Sequence, residues 1–189
     1  MKTSDKEYYE YLKNRSALRS ILRKKFILKS VVKEFRGKVL DVGCGTGEFI
    51  DMYHNSHGID LNKYIVEYCK KKGLNVTYGS AYKIPFKNGS FNGIFCSNVF
   101  EHLRMPRKAI SEFRRVLKRD GRLMITVPTK TGYEKDSTHV KYWHKENLPT
   151  FLEKHGFKIR KVYYFPFSDP LLKHRVKLNE LRVVAEKVR

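Results

Sequence analysis

The sequence predicts an α/β protein with a mostly parallel sheet, and three observations carry that prediction. The apolar run Val39-Leu40-Asp41-Val42 leads directly into Gly43-Cys44-Gly45-Thr46-Gly47. That is a strand running into a loop nearly bare of side chains, the device by which α/β folds bring backbone close to a nucleotide. A second short run, His57-Gly58-Ile59, ends in the carboxylate of Asp60. An acidic residue at about this distance past a glycine loop is where such folds grip ribose hydroxyls. Downstream, apolar strand-like runs alternate with segments of helical periodicity, as a sheet covered by crossover helices requires.

The elements follow in order. In residues 1–36 a stripe at helical spacing runs through Tyr8, Tyr9, Leu12, Leu18, Ile21, Leu22, Leu28, Val31, Val32 and Phe35, with Lys and Arg around it. It reads as helix packed on the sheet, or as a basic amphipathic face for a membrane or an acidic partner. Residues 37–189 read as one α/β domain. Asn62 is placed to cap a helix over Lys63–Lys72, which leaves Asp60 free for other work. Phe91–Ser97 reads as a fourth strand. Pro106 opens a helix with Ala109, Ile110, Phe113, Val116 and Leu117 on one face, ended by Asp120-Gly121. Arg122–Pro128 reads as a fifth strand. The polar stretch Thr129–Trp143 leaves the carboxyl end of that strand, the edge where open α/β sheets bind ligands, and is long for a plain connection. Lys145–His155 reads as a short helix closed by Gly156, with Pro149 tolerable in its first turn. Lys158–Phe167 and Leu181–Val188 read as two final strands joined by Ser168–Glu180.

The glycine loop is not built for phosphates. Where a dinucleotide fingerprint has its third glycine, this chain has the anionic Glu48, and no Lys-Ser or Lys-Thr follows as in a phosphate loop. The ligand implied is an adenosine compound without a pyrophosphate. The Asp-x-Gly-x-Gly-x-Gly pattern from Asp41 to Gly47 resembles the first motif of the class I S-adenosylmethionine-dependent methyltransferases. Tyr78-Gly79-Ser80-Ala81-Tyr82-Lys83-Ile84-Pro85-Phe86 is similar to that family's adenine-facing segment, with Ser80 where an acidic residue is common. Glu101-His102-Leu103, Pro106 and the run to Val127 resemble its later motifs. The resemblance covers about residues 38–157.

It implies a three-layer α/β/α sandwich with a seven-stranded sheet in the order 3-2-1-4-5-7-6, the last strand antiparallel, and N-terminal helices that lid the pocket. It implies S-adenosylmethionine as cofactor and S-adenosylhomocysteine as product. Carried onto this sequence, the cofactor residues are Asp41, Gly43, Cys44, Gly45, Gly47, Asp60, Leu61, Ser80, Ala81, Tyr82, Ser97 and Asn98. Histidine titrates near neutral pH and is the default base for a hydroxyl nucleophile. His102, in the Glu-His pair, and His139, in the polar loop, are the catalytic candidates. His144 begins the next helix, while His54, His57, His155 and His174 are read as badly placed or on the surface. Tyr133, Tyr142 and Trp143 are candidate walls of the acceptor pocket.

Ser97-Asn98-Val99-Phe100 stands where methylases of base nitrogens carry an Asn-Pro-Pro-Tyr type motif. That argues against base methylation and leaves oxygen, carbon or amine methylation of a small-molecule acceptor open, with oxygen the leading choice. An RNA or protein acceptor, and a cofactor-binding protein without turnover, remain open. Lys and Arg number 40 against 19 Asp and Glu, a net charge of +21, which favours an anionic acceptor, nucleic acid or an anionic membrane surface unless it reflects composition alone. Residues 1–36 hold 11 basic and 4 acidic residues, and residues 104–122 hold 8 and 2, so the excess is spread rather than striped. Three cysteines without paired spacing predict neither a disulfide framework nor a cysteine metal site, and no metal is expected. No apolar run is long enough for a membrane span or a signal core, so the chain is expected in the cytoplasm.

Overall fold

The computed structural model of the protein describes residues 4–14, 23–166 and 179–188. Leu18, Ile21, Leu22 and His174, together with most of the Ser168–Glu180 connection, lie outside them. The described elements are α1 (Asp5–Lys13), a π-helical turn (Arg23–Leu28), α2 (Lys29–Val32), β1 (Val39–Val42), α3 (Glu48–Met52), β2 (Ser56–Asp60), α4 (Lys63–Lys71), β3 (Val76–Tyr78), β4 (Phe91–Ser97), a 3-10 turn (Phe100–His102), α5 (Pro106–Val116), β5 (Leu117–Pro128), α6 (Lys130–Tyr133), α7 (Asn147–Lys154), β6 (Phe157–Phe165) and β7 (Glu180–Lys187).

The sheet has seven strands in the order β3-β2-β1-β4-β5-β7-β6. The first five are mutually parallel, and β7 runs antiparallel to both β5 and β6. Strand residues alternate between two buried faces, as a sheet covered on both sides must. Leu40, Val42, Ile94, Cys96, Leu123, Ile125, Val183 and Ala185 face one core, closed by Ala109, Ile110, Phe113 and Val116 of α5. Val39, Phe95, Met124 and Val184 face the other, closed by Leu28, Val31, Phe35 and Phe49. Among the described residues no helix is long and apolar enough to cross a membrane.

Three local features position the site. Gly47 takes φ +78° as the cap residue of α3, and a Cβ there would stand 2.5 Å from Leu74 Cδ1. Only glycine turns the chain into the helix at that point. Asn62 caps α4 as its sequence position suggests, its side chain accepting the N–H groups of Tyr64 and Ile65. Arg115 on α5 clamps the connection between β3 and β4: it donates to the carbonyls of Ile84 and Phe86 and pairs with Glu112, which accepts the Ile84 N–H.

Several boundaries differ from the sequence reading, most of all at β5, which begins at Leu117 and not Arg122, so that Asp120-Gly121 lies inside the strand and not at a helix end. Leu117, at helical spacing in the sequence, already pairs with Phe91 as the first residue of β5. The helical stripe and the buried strand overlap there because both demand an apolar residue. The helix expected over Lys145–His155 is shorter, Asn147–Lys154.

Candidate active site

The carboxyl ends of β1, β2 and β4 open onto a cavity of about 750 Å³, within the usual range for small-ligand sites. Asp41, Gly43, Cys44, Gly45 and Thr46 form one wall, Asp60 and Leu61 a second, Ser80, Ala81 and Tyr82 a third, and Ser97, Asn98 and Val99 a fourth. Asp5, Tyr8, Tyr11 and Leu12 of α1 line it from outside the sheet. α1 is tied down by Asn62, whose side-chain amide donates to the Asp5 carbonyl at 2.6 Å, and by Tyr9, which stacks on Tyr64.

Asp60 is the electrostatic centre of this end. One carboxylate oxygen accepts the Gly45 N–H at 3.1 Å and the other the Asn62 N–H at 2.9 Å. The carboxylate keeps acceptor capacity for ligand hydroxyls beyond these amides. Burial pushes the Asp60 carboxyl above its ordinary value, against the pull of those amides. Gly43 takes φ +71°, and a Cβ there would stand 2.4 Å from Val99 Cγ2. The glycine thus lets the loop close against the turn after β4. Ser80 Oγ accepts the Tyr82 N–H and shapes the third wall. The Cys44 thiol is held up by its hydrogen bond to Cys69 and by burial, which keeps it from being a nucleophile.

The acceptor end is built around His102, which lines the cavity with Leu103, Asp136 and Thr138. His102 Nδ1 lies 3.3 Å from the Thr138 carbonyl and 3.1 Å from Thr138 Oγ1, while that hydroxyl donates to Asp136 Oδ1 at 2.6 Å. A carbonyl can only accept, so Nδ1 carries the proton and Nε2 is the bare nitrogen. Burial and then His139 hold the His102 pKa below its ordinary value. Burial pushes Asp136 up, but the Thr138 hydroxyl and amide and the two histidines outweigh it and hold the carboxyl low.

Sequence reasoning missed Glu101. It is 1% exposed, and neither carboxylate oxygen has a hydrogen-bond partner. Burial, with Glu180 and Asp136 adding to it, pushes its carboxyl up to about 8. Its backbone carbonyl accepts the N–H groups of Val140 and Lys141, which docks the polar loop onto the 3-10 turn. His139 Nδ1 meets the Tyr133 carbonyl at 2.7 Å, and its Nε2 faces Glu101 Oε1 and Asp136 Oδ2, each at 3.9 Å. The signals in the sequence were its place in the Glu101-His102-Leu103 motif and its position directly after Val99 and Phe100.

Several assigned residues stand elsewhere. Gly47 lies behind the loop and not on the cavity wall, since its task is to start α3. Trp143 is 2% exposed, packs on Phe100 and Phe151, and donates its indole N–H to the Phe100 carbonyl. It is a core residue and not an acceptor wall. Tyr133 stacks on His139 and touches Tyr142, so both tyrosines buttress the histidine and neither lines the cavity. His139 itself stands one layer back, against His102, with ring centres 4.7 Å apart. His144 pairs with Glu146 away from the cavity, and His57 is half buried against Thr77 rather than on the surface.

A sheet of this order, parallel but for β7, with a glycine loop after β1 and a carboxylate ending β2, has the layout of nucleotide-cofactor enzymes. A family model described as a methyltransferase domain matches residues 40–125. An uncharacterized protein of Methanocaldococcus jannaschii is 32% identical over 83% of this chain and 72% of its own length. An uncharacterized methyltransferase of Bacillus subtilis is 36% identical over 47% of this chain and 39% of its own. The crystal structure of a SAM dependent methyltransferase from Aquifex aeolicus superposes with a TM-score of 0.72 at 24% identity, covering 99% of this chain and all of that one. Residues 40–125 thus match a methyltransferase domain, and the whole chain shares the fold of S-adenosylmethionine-dependent methyltransferases, which implies S-adenosylmethionine as the cofactor. The residues present fit that cofactor. The loop wall is backbone, Asp60 offers acceptors for a diol, and among the described residues no lysine or arginine lines the cavity where a phosphate would need one.

Proposed function

We propose that this methyltransferase acts on an oxygen of a small hydroxylated acceptor: a metabolite, a sugar or a lipid-linked precursor. The observation that carries the proposal is His102. It lines the same cavity as Asp60, and Thr138 fixes its ring so that Nε2 is bare. A lowered pKa keeps that nitrogen ready to accept a proton near neutral pH. The bound cofactor supplies an electrophilic methyl group on a sulfonium. The chain has to hold the acceptor hydroxyl in line with it, and such placement is worth about 7–11 kcal/mol. His102 would take the proton of a hydroxyl held in line with the methyl group that bound S-adenosylmethionine would supply. Asp60 and the loop backbone fix the cofactor, and α1 lines the outer side of the cavity.

The net charge of +21 supports an acceptor or carrier that is itself anionic. It also motivates a second reading, an RNA acceptor, which requires binding that weakens steeply with salt. The test is labelled S-adenosylmethionine offered with a panel of small phenols, sugars and hydroxy acids, and separately with RNA. Transfer to a small hydroxylated compound, lost in His102→Ala while cofactor affinity holds, supports the proposal. Transfer to RNA alone overturns it.

A further inference from the structure

One cluster at this site is not explained by a histidine base. Three side chains from two separate loops aim ligand atoms at one another: Glu101, His102 and His139, all within 4.8 Å. Each histidine has its Nδ1 occupied by a backbone carbonyl, Thr138 for His102 and Tyr133 for His139. This is the usual way a protein fixes an imidazole so that Nε2 is presented to a metal. Between them sits a carboxylate almost wholly buried with both oxygens unpartnered. Asp136 Oδ2 approaches the same His139 nitrogen from the cavity side, at 3.9 Å.

From this geometry we propose that Glu101, His102 and His139 form a binding site for a divalent transition-metal cation, with Asp136 at its open side. A shared proton does not account for the arrangement. A proton bridge needs donor and acceptor about 2.7–3.2 Å apart, whereas Glu101 and His139 stand at 3.9 Å. A proton would also satisfy one pair and leave the remaining lone pairs facing each other. One cation satisfies all of them. Ligand atoms bound to a common ion at about 2.1 Å stand about 3–4 Å apart, so the widest pair of the triad has to draw in by about one to two ångström. Two imidazoles and a carboxylate with an open side suit zinc, manganese or ferrous iron rather than calcium or magnesium.

The open side faces the cavity, because His102 and Asp136 both line it. The ion is therefore placed to take an oxygen of the acceptor as a further ligand. This deepens the proposed oxygen methylation and rests on it for its role, though not for the binding itself. The acceptor class becomes one that offers an oxygen donor to a metal, such as a phenol, a hydroxy acid or a diol. Without the ion His102 receives the acceptor's proton, whereas with the ion bound its lone pair holds the metal and the proton passes to the Asp136 carboxylate at the open side.

The experiment uses the whole chain, stripped with a chelator. Mn²⁺ and Zn²⁺ are titrated by calorimetry, and crystals soaked in Mn²⁺ are examined by anomalous scattering. S-adenosylhomocysteine is titrated into the same samples. The expected result is one ion per chain, an anomalous peak between the Glu101 carboxylate and the two Nε2 atoms, and affinity weakened by about a hundredfold or more in Glu101→Gln and His139→Ala. No binding at millimolar metal, a peak elsewhere, or unchanged affinity in both variants overturns the proposal. Should either variant fail to fold, the soaked wild-type crystal decides alone. If the ion binds and S-adenosylhomocysteine does not, the metal site stands and the methyl-transfer reading falls. If S-adenosylhomocysteine binds and no ion does, only the metal site falls.

Discussion

Replacing Asp60 with alanine tests the cofactor end of the site most sharply. Both carboxylate oxygens are already anchored, one on the Gly45 N–H and one on the Asn62 N–H, so the group is held in a single orientation toward the cavity. Each ligand hydroxyl donating to it makes a charge-assisted bond worth about 1.5–3 kcal/mol. A ribose diol makes two, which gives about 3–6 kcal/mol, or about a hundredfold to ten-thousandfold in affinity for S-adenosylhomocysteine. The assay is calorimetry at neutral pH, with circular dichroism to confirm that the variant is folded. Asp60→Asn separates charge from shape: it keeps one acceptor oxygen and turns an amide donor toward Gly45 or the ligand, so its loss is expected to be intermediate. The pH dependence has a definite sign. Burial raises the Asp60 pKa, so its ionised form costs the ligand-free protein stability as pH rises through that pKa, and the ligand hydroxyls offset that cost. Affinity therefore falls on acidification, beginning at a higher pH than for an exposed aspartate, and Asp60→Asn removes that dependence. A folded Asp60→Ala protein whose affinity drops less than about tenfold would refute the reasoning.

The other predictions concern the scaffold. Arg182 is fully buried, pairs with Glu180, donates to Ser30 Oγ and lies over the Phe165 ring at 3.8 Å. Arg182→Ala strands Glu180 in the interior and should cost about 3–5 kcal/mol in urea denaturation, and a cost below about 1 kcal/mol would contradict this. Gly43→Ala adds a Cβ against Val99 at a positive φ, and should lower stability by about 1–3 kcal/mol and weaken cofactor binding together. Unchanged melting would show that the loop has more room than the structure gives it. Arg115→Ala frees the carbonyls of Ile84 and Phe86. Amide exchange should rise in the segment from Ser80 to Ser90 while β1 and β4 keep their protection.

The fold was largely legible because its signals are local. A buried strand ending in a carboxylate, a side-chain-poor loop and an asparagine cap each announce themselves within a few residues, and Asp60 and Asn62 take the positions those signals imply. The glycine pattern was legible as a loop but not residue by residue. Gly43 and Gly45 line the cavity, whereas Gly47 serves the turn into α3, and spacing alone does not distinguish contact from backbone conformation. Trp143 was misread because its neighbours Tyr142 and His144 are polar and partly exposed, while its own ring is swallowed between Phe100 and Phe151. The acceptor end was the least legible part. Glu101 and His139 meet only because Val140 and Lys141 hydrogen-bond to the Glu101 carbonyl, a docking that joins loops after different strands. No periodicity encodes such a contact.

The most direct measurement is a crystal structure of the chain with S-adenosylhomocysteine, paired with calorimetry against that ligand and against NAD. The account predicts one equivalent bound over the backbone from Gly43 to Gly45, with both ribose hydroxyls donating to Asp60 and the sulfur turned toward His102. A cavity that stays empty at millimolar ligand, or that takes NAD in its place, would contradict it.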